Sequence, residues 1–320
     1  MKFTKTILLF TTILMMVSLS QAQNSVVSNA IQIYHDGDYE KAYELAGDAL
    51  VNMDALSGDY IPAAFYYLAK SRLQILRIAL QEGDEERLAT MQNALMECYY
   101  DYTEALKTAD DKLSIDIQRD LADLYNPILQ TGLAALNAAK NTGQPQNVRR
   151  SAVEASLAYL HAAKDINPTY LACDLDGQAL MIYGDSSAAY NSFDESIAAY
   201  LLHSPTPPDF LMAYVYFRKA VIERYFYKNN NKSLVTLMEG QNLLNTEHAR
   251  YGAALLNSEQ KKTYENAMID LIGFELDIYL NDKSLIDDAL VRFREVMNIY
   301  PEDYDIHISY ANLLENVDVN

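Results

Sequence analysis

Apolar side chains recur every three to four residues along most of this chain, interrupted at intervals by Gly, Asn or Pro. That period gathers the apolar residues on one face of an α-helix. Val26, Ala30 and Ile33 form one such face, and Ala42, Ala46 and Ala49 form another beyond the Gly37-Asp38 turn. A helix is predicted over about 62–81, started by Asp59 and Pro62, with Phe65, Leu68, Leu76 and Leu80 as its apolar stripe. Tyr66, Lys70, Gln74 and Arg77 share the opposite stripe. Gly83 stops it, and one further helix is expected over about 84–108. Leu113, Ile117, Leu121, Leu124, Ile128 and Leu136 predict a helix over 112–142, kinked or broken at Asn126-Pro127 because proline lacks the N–H and crowds the preceding turn.

The run from Asn141 to Pro145 reads as a loop, and the Pro-rich segment from Ser204 to Asp209 as a boundary. There Thr206 is placed to cap a helix with Pro207 in its first turn. The helix that follows, to about Tyr227, is the most aromatic stretch, and Asn229-Asn230-Asn231 is its turn. A polar linker is expected from His248 to Ser258. The last helix, 304–317, should face its predecessor with Tyr310, Ala311 and Leu314. With only 11 Gly and 8 Pro in 320 residues and little Val-Thr alternation, the fold class is all-α.

A Gly-Asp turn followed by Ala42, Ala46 and Ala49 resembles the tetratricopeptide (TPR) repeat, a two-helix unit that stacks into a solenoid. Gly177, Leu180, Gly184-Asp185, Ala189, Phe193 and Ser196 match the pattern most fully, though Asp176 and Cys173 replace a usual Leu and a usual aromatic. Those two departures should weaken the packing of their helix. Ile269, Ile272-Gly273, Leu276, Ala289, Phe293, Val296 and Pro301 give a third copy. The matching copies span 26–50, 156–200 and 268–314. Second-helix anchors at Ala42, Cys98, Ser156, Ala189, Ser233 and Ala289 are unevenly spaced, so the repeats are degenerate and partly elongated. The resemblance implies a TPR-like α-solenoid of about six antiparallel hairpins plus a C-terminal capping helix.

Residues 1–22 resemble a signal peptide: Lys2 and Lys5, then an apolar run from Ile7 to Leu19, then Ser20-Gln21-Ala22 as a cleavage site. The TPR-like domain is then 23–320, and its expected location is periplasmic or secreted, without stable membrane insertion. Export would place Cys98 and Cys173 in an oxidising compartment, where both are expected as buried small side chains rather than a bridge. The net charge of −19 argues against nucleic acid as a partner, since phosphate binding needs clustered Lys and Arg.

The five histidines are scattered, and no metal motif, phosphate loop or nucleophile elbow is present. No cofactor and no enzymatic activity are expected. The TPR resemblance implies instead a protein- or peptide-binding scaffold in the bacterial envelope, whose first helices line a concave face. Carried onto this chain, that face holds Tyr66, Lys70, Gln74, Asp174, Gln178, Asp270, Phe274 and Asp277. The acidic balance favours an aromatic or basic peptide over an anionic tail. The alternative is an envelope glycan- or nutrient-binding protein with a TPR-like core, in which some of the 25 tyrosines, Tyr214 and Tyr216 among them, would stack on sugars.

Overall fold

The computed structural model describes residues 20–318, and every regular element among them is helical. Most of the expected leader lies outside the described residues. The chain divides between Asn167 and Pro168 into two compact units.

The first unit begins with a helix over residues 20–35 (α1), which the Gly37-Asp38 turn joins to α2 (Tyr39–Val51). Ala30 on α1 and Ala46 on α2 are fully buried and meet Leu68, so backbones approach closely where the pattern placed small residues. α3 (Tyr60–Glu82) pairs with α5 (Ala94–Leu106), and α6 (Asp111–Lys140) with α7 (Gln146–Ile166). The single helix expected over 84–108 is instead α4 (Glu85–Thr90) followed by a turn and α5. Thr90 turns its hydroxyl back onto the Arg87 carbonyl (2.7 Å), a local bond that competes with helix continuation. Of the kink or break expected at Asn126-Pro127, the break does not occur: α6 runs unbroken through Pro127. Pro127 and Asp123, one turn before it, are both exposed, so water can serve the carbonyl that proline leaves without a donor.

The second unit pairs α8 (Tyr170–Tyr183) with α9 (Ser186–Leu202), α10 (Ala213–Tyr225) with α11 (Asn230–Tyr251), and α12 (Ser258–Asn281) with α13 (Ile286–Ile299). α14 (Tyr304–Asp318) packs on α13. Across the two units the described residues thus form six hairpins and a closing helix, each unit a TPR-like stack. Phe193 and Phe293 are fully buried in the cores of their hairpins, each contributing roughly 2–3 kcal/mol of burial.

Several boundaries differ from the sequence expectation. Asp209, not Thr206, opens the α10 segment by accepting the Leu211 N–H (3.0 Å), and Thr206-Pro207 is a cis peptide upstream of it. The linker expected from His248 is helical to Tyr251, and His248 stacks on Tyr264. On α14 the inward residues are Ile306, Tyr310 and Leu313, while Ala311 and Leu314 are exposed. Asp176 on α8 is buried and accepts the Ser192 hydroxyl at 2.7 Å, so a polar contact stands in the place of a usual Leu. Cys98 and Cys173 are both buried thiols.

The turns repeat one device. Gly37, Gly83 and Gly184 have φ of 92°, 67° and 100°, which an L side chain tolerates poorly. Each is followed by an aspartate (Asp38, Asp84 and Asp185) whose carboxylate accepts the N–H three residues on, contributing about 1 kcal/mol per cap. At the α10–α11 turn Lys228 stands in the glycine place with φ 54°, and Asn229 caps in place of aspartate.

Candidate functional site

The residues expected on the concave face fall into two groups, one per unit: Tyr66, Lys70 and Gln74 on α3 in the first, and Asp174 and Gln178 on α8 with Asp270, Phe274 and Asp277 on α12 in the second. In the first unit Tyr66, Lys70 and Gln74 do share a stripe of α3. That stripe is solvated only in part: Arg77 is exposed and Lys70 and Gln74 are half-buried, but Tyr66 is 3% exposed, while Leu80, placed on the apolar stripe, is 61% exposed. α3 is packed by both α2 and α5, so a two-sided amphipathic pattern misplaces Tyr66 and Leu80.

Tyr66 donates to Asp120 Oδ2 on α6 (3.0 Å) and accepts from Lys70 Nζ (3.0 Å), and Lys70 pairs with the same carboxylate at 3.3 Å. Burial pushes the Tyr66 hydroxyl up to about 12. Burial opposes the Lys70 charge, yet the Tyr66 bond and the Asp120 carboxylate outweigh it and raise its pKa. Beside this triangle lies a hollow of about 120 Å³ lined by Tyr34, Gln74, Arg77, Tyr102 and Asp123 among others. The fully buried Tyr102 hydroxyl has no partner among the described residues.

In the second unit the expected carboxylates are tied from hairpin to hairpin. Asp174 on α8 pairs with Arg218 on α10 (2.7 Å) and accepts the Gln178 amide (2.7 Å). Asp270 on α12 accepts the Tyr214 hydroxyl (2.7 Å), and Asp277 pairs with Arg224 of α10 (2.5 Å). Phe274 packs on Phe217, ring centroids 5.1 Å apart, with the Arg224 guanidinium 5.2 Å above its ring. Sequence reasoning missed Arg218 and Arg224, because their partners lie more than a hairpin away. Tyr216 is buried against Gly240, where an added Cβ would sit 2.9 Å from the Tyr216 Cβ, so this ring is packing.

Two grooves flank α12. The first, about 310 Å³, lies between α12 and α14 over Ile269, Ile272, Gly273, Leu276, Leu280 and Ile306, with Asp277, Asp303 and Asp305 at its edge. Gly273 belongs to the third TPR-like copy, but nothing lies within 4 Å of a Cβ built there, so its missing side chain opens the groove floor. The second, about 500 Å³, lies between α11, α12 and α13. Its floor holds Glu275 and Arg292, which the sequence pattern did not single out. A Glu within the apolar run Ile272–Leu276 was the available signal.

Among the described residues no group of three His, Cys, Asp or Glu could hold a metal ion, and no helix is long and apolar enough to cross a membrane. No family model and no curated protein matches the chain. Among solved structures it is similar to the Naa15/Naa10 complex bound to HypK-THB, at 14% identity and TM-score 0.37, over 92% of this chain. The chain spans only 39% of that neighbour's length. The P58(IPK) TPR domain gives 12% identity and TM-score 0.30 over 93% of this chain and 89% of that one. TTC0263, a TPR protein of Thermus thermophilus, gives 16% identity and TM-score 0.21 over 91% and 98%. The fold rests on the chain's own nested hairpins, with small residues at their contacts: it is a TPR-like, all-α repeat fold.

Proposed function

We propose that this protein is an exported, non-enzymatic binding scaffold that holds a basic, partly apolar peptide segment of a partner along the inner face of its second unit. The observation that carries the proposal is the α12–α14 groove. Its floor is aliphatic and opened by Gly273, and its edge carries Asp277, Asp303 and Asp305. An apolar floor takes the hydrophobic side chains of an amphipathic segment, and an acidic edge selects Lys or Arg beside them. The net charge of −19 acts in the same direction at longer range. Export rests on the pattern of residues 2–22, and its test is whether the chain recovered from the envelope begins at Gln23.

The binding test is titration of the full chain with two designed peptides of one apolar pattern, one lysine-rich and one glutamate-rich. The lysine-rich peptide should bind saturably and weaken with salt. Gly273→Phe should weaken that binding strongly without lowering thermal stability, and Asp305→Asn should weaken it. Equal binding of the glutamate-rich peptide, or indifference to Gly273→Phe, would rule the groove out as the peptide site.

A further inference from the structure

The cleft on the other edge of α12 has a different chemistry, and a ligand seated there is independent of any peptide held between α12 and α14. Its volume of about 500 Å³ falls within the roughly 300–1,000 Å³ usual for small-molecule sites. The floor is rigid. Glu275, 1% exposed, receives Arg292 Nε (2.7 Å), Arg292 Nη2 (3.0 Å) and Gln241 Nε2 (2.7 Å), while Arg292 Nη2 also reaches Gln241 Oε1 (2.8 Å). A network with every member satisfied holds its shape without a guest.

The groups around that floor are less committed. Asp288 and Asn242 line the cleft and have no hydrogen-bond or ion-pair partner among the described residues. Glu295 gives Arg292 Nη1 one oxygen at 3.1 Å. Three tyrosines, Tyr264, Tyr279 and Tyr300, form walls; Tyr264 is braced by the stacked His248 ring and by Asn245, which accepts its hydroxyl at 2.9 Å. Met238, Val291 and Ile299, each at least half exposed, form an aliphatic lip.

Charge decides what fits. Glu275, Asp288 and Glu295 face a single guanidinium, so the cleft is negative. Burial, with the carboxylates of Glu275 and Asp288 behind it, pushes the Tyr279 hydroxyl upward, as a negative surround should. A carboxylate or phosphate guest would be repelled. A neutral sugar could stack on the rings but would leave the surplus charge unanswered. A cation over a tyrosine face gains from the ring quadrupole, and a methylene chain would lie along the lip. We infer that the α11–α13 cleft is a binding site for an alkylammonium group, either a linear polyamine or a lysine side chain of a partner.

Calorimetry on the full chain with spermidine, a blocked lysine tripeptide, a neutral trisaccharide and succinate tests this. Spermidine or the lysine tripeptide should bind saturably, and which of the two does so identifies the source of the ammonium. Asp288→Asn should weaken that binding about fivefold to tenfold. Tyr279→Phe should retain it, whereas Tyr279→Leu, which keeps an apolar wall without a ring face, should not. Gly273→Phe, which fills the other groove, should leave it unchanged. Saturable binding of the trisaccharide in preference to either amine, no binding of either amine, or an Asp288→Asn variant that binds as the parent does would each overturn the assignment.

Discussion

Gly177 on α8 faces Phe193 on α9 so closely that a Cβ at position 177 would lie 2.5 Å from Phe193 Cε1. Phe193 is fully buried, so the ring cannot swing into solvent to make room. Gly177→Ala should therefore destabilise the protein by about 1–3 kcal/mol, although alanine is the better helix former. Adding Phe193→Leu should return part of that loss, which urea titrations of the single and double variants would show as coupling.

The same substitution at Gly273 should have the opposite sign. Nothing lies within 4 Å of a Cβ there, so only helix propensity is left to act. Gly273→Ala should stabilise by about 1 kcal/mol, read from the same urea titrations. Loss of stability comparable to Gly177→Ala would mean that the groove floor is packed rather than open.

Lys228 occupies a left-handed backbone conformation that glycine fills at three other turns. An L residue is strained there, while glycine would add entropy to the unfolded chain. The two effects oppose each other, and strain is the larger. Lys228→Gly should raise the unfolding free energy by about 0.5–1 kcal/mol, and Lys228→Val should lower it, measured at the same salt.

Arg292 is the main charge partner of the buried Glu275 carboxylate. Arg292→Met should cost about 3 kcal/mol or more, because it strands that carboxylate away from water. Replacing Gln241, Glu275 and Arg292 together by Leu, Leu and Met should recover most of the loss. Failure of the triple variant to recover would show that the network shapes the α11–α13 packing beyond its own charge balance.

Alkali offers a test spread over both units. Burial raises the hydroxyls of Tyr66 and Tyr216 to about 12, against about 10 in an unfolded chain. With the folded value raised, the unfolded chain gives up its protons first, so stability is intact below about pH 10 and falls as pH rises towards and through about 12. Urea midpoints across that window should drop, and Tyr216→Phe should flatten the drop. A midpoint that holds steady through the window would show these hydroxyls to be hydrated.

Much of the architecture is legible in the residue pattern, because small side chains recurring at Ala42 and Ala46, and at Ala189 opposite Gly177, let two helices touch closely. The rotation of individual helices is less so. Tyr66 and Leu80 exchange their expected environments since α3 has neighbours on two sides, and Leu313 rather than Leu314 turns inward because one residue is enough to rotate a short terminal helix. The site is the least legible part. Asp174, Asp270 and Asp277 read as open carboxylates along the chain, and only the stacking of hairpins brings Arg218, Tyr214 and Arg224 to them.

Arg224 reaches from one hairpin to hold Asp277 on the next, and Asp277 also walls the α12–α14 groove. A cation arriving in that groove competes with a resident one for the same carboxylate. A guest that drew that carboxylate away from Arg224 would slacken the tie to the hairpin before it, and a cation seated on α12 would then be felt at α10 without any hinge between them.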